Sequence, residues 1–363
     1  MKSSSHESEL FPSLNGLRAL CLLLVFFNHL TFQNNVLADF FAIKWLQPFS
    51  LLLKDGHLAV NMFFVISGFL ITNVLLKEES LNGKISIKNF YFRRILRIFP
   101  AFYFLLLVYY LLQLLGQIHF STNSWLTSLT YMKYFNWEND WASAHFWTLS
   151  IEEHFYFLWP VLFTFGPKFR KRFTIFLILL VPALRTLVHF HPISWIHEFS
   201  LFLRMDAIAI GCLFAFYKDQ IIQFATPHWK KLFYFSIGIV VCIRFIDFPM
   251  IKNSVNLDFF IVPFGLTHGT FANFSIAFIM MYSAFGPKKN WYKFLNIRLV
   301  SFIGIISYSV YLWQQIFIYN SNDWTHQFPQ NVIGAFIMGL FSYYLIETPF
   351  LKLKSKYSVR KRK

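Results

Sequence analysis

Charge is scarce in this chain. Only 14% of its 363 residues are Asp, Glu, Lys or Arg, against about 25% in soluble globular proteins. With a hydrophobic content of 56%, that deficit excludes an ordinary soluble domain. Acid is scarcer still, with 17 acidic residues facing 33 basic ones. Cysteine is limited to Cys21, Cys212 and Cys242, which show no paired spacing. A disulfide framework and a zinc site are thereby excluded, and the three read as packing residues inside apolar runs. No internal repeat is found. The longest polar stretches, Ser121 to Ala144 and Lys77 to Arg94, are too short to form domains. Function must therefore be built from the apolar runs and two connecting segments.

What the chain has in quantity is a succession of apolar runs of about twenty residues, the length that crosses a hydrocarbon core of about 30 Å. Ten spans are expected, at residues 14–34, 57–76, 98–116, 145–165, 173–190, 199–217, 230–247, 259–285, 299–319 and 330–350. The expected fold class is all-α, a polytopic membrane helical bundle of about ten transmembrane helices. An even count puts both ends on one side, and 25 of the 33 Lys and Arg residues fall in segments on that side. The positive-inside bias makes it the cytoplasm. The same bias, with anionic lipid headgroups as counter-charge, accounts for most of the net charge of +16, so nucleic acid is not an expected partner. The first apolar run is too long for a signal-peptide core and reads as a retained first helix. The expected organisation is one integral membrane domain over residues 1–363, closing in a basic cytoplasmic tail at 351–363, with no soluble catalytic domain appended. Oligomeric state is not legible.

Within the first run, Phe11 to Phe32, stand Arg18 and His29. Eleven residues at about 100° each return the helix to nearly the same face, placing the two about 16 Å apart along the axis. Ionisable groups inside a spanning helix are costly and face a bundle interior or an aqueous cavity, so this pair marks a candidate site. At 1.5 Å per residue, His29 lies about 22 Å above the inner end of its span and Glu152 about 10 Å below the outer end of the fourth span. Those are similar levels in a core of about 30 Å. Arg204, Asp206 and Gln314 fall in the same outer half, whereas Arg18 lies near the inner edge with Arg94 and Arg97. Two layers are expected, a cationic inner vestibule and a polar outer layer. Arginine forks bind phosphate oxygens bidentately, and a neutral histidine is suited to taking a proton from a hydroxyl near pH 7. Together they suggest acyl transfer from a phosphate-bearing donor.

The residues then match a known pattern along nearly the whole chain. The sequence resembles the acyltransferase type 3 family, whose Arg-x10-His signature is met by Arg18 and His29. Its GxxxVxxFFVxSGFLI stretch is met by Gly56, Val60, Phe63, Phe64, Ser67 and Gly68, and its RRxxRIxPxY segment by Arg93, Arg94, Arg97, Pro100 and Tyr103. Trp147, Ser150, Glu152, Glu153 and Tyr156 fit WSLSxEExFY. Arg204, Asp206 and Gly211 fit RxDxxxxG, Ser307, Tyr308, Tyr311 and Trp313 fit SYxxYLWH, and Glu347 with Pro349 fits the closing YxxExPF. Two positions depart from the pattern: Gln314 stands where the family usually has histidine, and Thr148 replaces the serine after Trp147.

The resemblance implies a ten-helix membrane enzyme of the plasma membrane that takes acyl-CoA as co-substrate, with no tightly bound cofactor and no metal, and acylates an extracytoplasmic glycan or related carbohydrate. It implies His29 as the essential histidine, Arg18 as its cationic partner, and Arg94 with Arg97 as an interfacial pair acting through the coenzyme; Arg93 is grouped with that pair as acyl-donor-binding, and Glu152 is the carboxylate expected to orient the histidine or stabilise its charged ring. Ser67, Ser150, Glu153, Arg204, Asp206, Tyr308, Gln314 and Glu347 form the remaining polar core. Small secondary metabolites are an alternative acceptor class. A multi-pass transporter would also need intramembrane Arg, His and Glu, but with repeat symmetry that is not found. A non-catalytic membrane protein would not require Arg18 and His29 on one face.

Overall fold

The computed structural model describes residues 11–33, 56–135, 140–193, 196, 200–246, 258–318 and 323–357. Among them every regular element is helical. The principal helices are α1 (Ser13–Gln33), α2 (Gly56–Asn82), α3 (Ile87–Leu114), α4 (Phe146–Phe163), α5 (Pro167–Phe190), α6 (Met205–Phe216), α7 (Trp229–Ile246), α8 (Asp258–Phe285), α9 (Arg298–Ile305), α10 (Ser307–Phe317) and α11 (Gln330–Phe341). All ten predicted segments fall on helices. Five helices are long and apolar enough to cross a bilayer alone, or seven crossings if each of two sharply bent helix pairs counts as one. This is a helical membrane protein with several spans. The helix carrying Glu152 and Glu153, α4, is not among the five.

The polar stretch from Lys77 to Arg94, expected as a connecting segment, is mostly helix. Helix α2 runs on to Asn82 and α3 starts at Ile87, so only four residues join them. Gly83 takes φ +71° at the end of α2, a left-handed geometry glycine adopts without a Cβ penalty. Ser86 then caps α3, its Oγ accepting the Asn89 N–H at 3.4 Å. Glu78 fastens this turn by accepting the Ser86 N–H at 3.0 Å and the Arg93 guanidinium at 2.9 Å.

The core is organised around α2, which packs most extensively on α6. Gly68 faces the Ile208 carbonyl and Gly211 faces the Val65 carbonyl, so each glycine lets the opposite backbone approach. Small residues at helix contacts serve this purpose where lipid supplies no hydrophobic drive to association. Helix α1 lies against α2 and α9, with Gly304 against the Asn15 carbonyl. Of the cysteines, Cys21 and Cys212 are buried and Cys242 is exposed; all three are free. The basic tail begins on a short helix, Thr348–Lys354, and its residues 358–363 lie outside the described residues.

Between α3 and α4, the Lys133 ammonium is 1% exposed and donates to Asp140 Oδ2 at 2.8 Å and Ser124 Oγ at 3.2 Å. Removing one partner of a buried pair leaves an uncompensated charge. Asp140→Ala is therefore expected to lower stability by about 3–5 kcal/mol, whereas Lys133→Met leaves a carboxylate that is 12% exposed and still accepts the Ser143 N–H and hydroxyl, and costs less. Thermal unfolding of the purified protein in lipid nanodiscs checks the order; equal losses from both variants would contradict it.

Candidate active site

A cavity of about 800 Å³, its open mouth included, lies between α1, α2, α3, α4 and α10. Arg18, Arg94 and Arg97 line it together with Glu152, Glu153, Ser67, Tyr156 and Tyr308, and Val60, Phe63, Phe64 and Leu149 supply an apolar side. Burying two carboxylates in an apolar bundle is costly unless cations and hydrogen bonds share the space. Glu152 Oε1 accepts the Ser67 hydroxyl at 2.7 Å, and Ser67 Oγ accepts the Tyr156 hydroxyl at 3.1 Å. The Arg94 guanidinium lies over the Tyr156 ring at 4.7 Å and the Phe90 ring at 5.6 Å. Such a stack fixes the plane of a guanidinium. Tyr308 donates to the Ile98 carbonyl at 2.9 Å, tying α10 to α3 beside Arg97.

This arrangement corrects the two-layer reading. Glu152 and Glu153 share one cavity with Arg18, Arg94 and Arg97 rather than forming a separate layer with His29. Levels counted along single helices ignore tilt and the direction in which each side chain points, and the carboxylates reach toward the arginines.

Five other predicted site residues lie elsewhere. Arg93 does not line the cavity; it is 5% exposed, paired with Glu78 and donating to the Tyr357 carbonyl at 3.0 Å. Donor binding is thus not its place in the structure. Ser150 donates to the Phe146 carbonyl at 2.9 Å and accepts the Lys133 N–H at 3.3 Å. Asp206 is fully buried in a network of its own, accepting Arg185 Nη2 at 2.8 Å, Thr270 Oγ1 at 2.6 Å and Asn273 Nδ2 at 3.2 Å. That network joins α5, α6 and α8. Arg204 turns to His57 Nδ1 at 3.4 Å and lies over the Trp147 ring at 5.9 Å. Glu347 accepts the Ser309 and Ser342 hydroxyls, clasping α10 to the π-turn Ser342–Glu347.

His29 is not part of the cavity lining. Its ring meets the Trp141 ring edge-on at 5.6 Å, and its side-chain neighbours include Gln314 and His145. Thr148 and Tyr311 line the cavity and join it to this second cluster: their hydroxyls are 2.7 Å apart, and the Tyr311 hydroxyl donates to the His145 carbonyl at 3.0 Å. His145 and Tyr311 were not among the predicted site residues. Among the described residues, no group of three or more His, Cys, Asp or Glu side chains could hold a metal ion.

A guanidinium-lined cavity one hydrogen-bonded wall away from a buried histidine cluster fits a reaction on an anionic donor. No solved structure matches the chain. It is 30% identical to the protein named O-acetyltransferase OatA of Staphylococcus aureus strain NCTC 8325, over 94% of this chain and 57% of that protein, with the same figures for the OatA of strain COL. The chain thus spans 57% of the length of these relatives. The family model described as an acyltransferase domain matches residues 11–347, and on that match the chain belongs to the acyltransferase type 3 family.

Proposed function

We propose that this chain is a membrane O-acyltransferase, in the first place an O-acetyltransferase. It carries an acyl group from a coenzyme A thioester on the cytoplasmic side to a hydroxyl of a cell-surface glycan or related carbohydrate-bearing acceptor. The observation that carries the reading is the cavity in which Arg18, Arg94 and Arg97 meet beside the wall of the His29 cluster. Three guanidinium groups supply charge-assisted donors for the coenzyme's phosphates. The apolar side formed by Val60, Phe63 and Phe64 accepts an uncharged pantetheine arm. Transfer breaks the acyl C–S bond and forms an acyl C–O bond, and the proton lost by the hydroxyl ends on the coenzyme thiol. His29 serves as general base for that hydroxyl or as a transient acyl carrier. In this reading the chain crosses the plasma membrane ten times with both ends in the cytoplasm. The relatives' printed name, O-acetyltransferase, supports the acetyl group.

The test uses permeabilised cells expressing the full chain and supplied with labelled acetyl-CoA. Alkali-labile acetate should appear on envelope glycan. Arg94→Ala and Arg97→Ala should each raise the KM for acetyl-CoA by about ten- to a hundredfold, the worth of a hydrogen bond to a charged group, with kcat little changed. An unchanged donor KM in both variants would overturn the donor assignment.

A further inference from the structure

The cluster around His29 holds more hydrogen-bonding capacity than its surroundings use. His145 is 2% exposed and Gln314 is fully buried. Yet His29 Nδ1 and His145 Nδ1 have no hydrogen-bond partner among the described residues, and the Gln314 amide, which lies against the His29 ring, makes no well-formed hydrogen bond there. Buried polar atoms without partners are rare in native proteins because each costs the desolvation of the group, so several in one neighbourhood need an explanation. They are neighbours. Trp141, whose ring meets His29, precedes His145 by one helical turn, and His145 reaches α10 two residues before Gln314.

The tautomer of His145 follows from its anchor. Its Nε2 lies 3.2 Å from the Leu312 carbonyl oxygen. A carbonyl oxygen only accepts, so Nε2 carries the hydrogen and the lone pair is left on Nδ1. The ring is held further by the edge of Tyr311 at 5.3 Å and by the Tyr311 hydroxyl on its own carbonyl. A fixed neutral imidazole with a free lone pair beside a second imidazole is the equipment of a base.

Resting on the reading above, we propose that His145 is the base for the acceptor hydroxyl, that Gln314 positions that hydroxyl, and that His29 is the acyl carrier. In the first half-reaction a His29 ring nitrogen attacks the thioester carbonyl. The C–S bond breaks, a C–N bond forms, and the ring's N–H proton leaves with the coenzyme as its thiol. In the second, the acceptor hydroxyl accepts from Gln314 Nε2–H and donates to His145 Nδ1. Its oxygen attacks the acyl carbon, the proton passes to His145, and the C–N electron pair returns to His29, which recovers the proton from His145. The sum is ester plus thiol from alcohol plus thioester.

The experiment compares full-length wild type, His145→Gln, Gln314→Met and His29→Ala in permeabilised cells, using labelled acetyl-CoA and the envelope's own glycan. Glutamine at 145 keeps a donor for the Leu312 carbonyl but has no Nδ1 lone pair. Methionine at 314 keeps the volume and removes both polar atoms. His145→Gln should release about one thiol per protein in a burst and then turn over at least tenfold more slowly, with acetyl label retained on the chain. Gln314→Met should slow turnover by on the order of tenfold, the worth of one hydrogen bond, at unchanged abundance and donor KM. His29→Ala should carry no label. A His145→Gln variant that turns over within threefold of wild type, or slows without labelled protein, would overturn the assignment of base and carrier while leaving the acyltransferase reading intact. A Gln314→Met variant that turns over within twofold would remove Gln314 from it. Absence of thiol release by the wild type would overturn the underlying reading and this one with it.

Discussion

His29→Ala is expected to abolish transfer of acetyl groups while the protein remains at wild-type abundance. The separation of the two effects comes from where the ring sits. It is half-buried, its ring packs on the edge of Trp141 beside Gln314 and His145, and its Nδ1 makes no hydrogen bond that truncation would break. Deleting it therefore removes a modest contact and relieves one unpartnered polar atom. The chemical loss is far larger, because a positioned base or nucleophile contributes on the order of 10²- to 10⁴-fold or more. Alkali-labile acetate on envelope glycan, normalised to protein measured in the same membranes, checks both halves. Transfer within tenfold of wild type would contradict the placement of the chemistry at His29.

The largest structural effect is expected at the crossing of α2 and α6. A Cβ at Gly68 would collide with the Ile208 carbonyl oxygen, and one at Gly211 with the Val65 carbonyl oxygen and the Phe69 amide nitrogen. The obstructing atoms are backbone, which cannot rotate aside as a side chain does, so the helices must separate. Since Ser67 lies beside Gly68 and accepts from Tyr156 while donating to Glu152, separation also disassembles one wall of the cavity. Gly211→Leu or Gly68→Leu should cost more than about 4 kcal/mol, in the range reserved for severe overpacking. The result would be loss of folded protein in detergent-resistant membranes. Gly238→Leu is the matched control, because nothing lies within 4 Å of its would-be Cβ; it should be silent. A folded Gly211→Leu protein would show that the two helices are less closely apposed than described.

Much of the helical order was legible from the sequence because apolar length and flanking charge report directly on helix position in a membrane protein. The errors have local causes. The charged run around Arg93 looked like a solvated connection, since nothing in the sequence shows that Glu78, fifteen residues earlier, would bury its guanidinium. Asp206 could be seen to need a partner other than Arg204, two residues away, but Arg185 on α5 is brought to it only by the packing of three helices. The carboxylates Glu152 and Glu153 were placed with His29 by depth alone. The structure turns them toward Arg18, Arg94 and Arg97, because the azimuth of α4 against α2 and α3 is a property of packing and not of spacing. His145 carried no signal in the sequence, because its anchor, the Leu312 carbonyl, lies on a distant helix.

An experimental structure with a non-reactive acetyl-CoA analogue bears most directly on the cavity as donor site. The expected result is phosphate density on the Arg18, Arg94 and Arg97 guanidiniums, with the acyl end passing the Thr148 and Tyr311 hydroxyls toward His29. Phosphates held outside that cavity, or an acyl end directed away from His29, would contradict it.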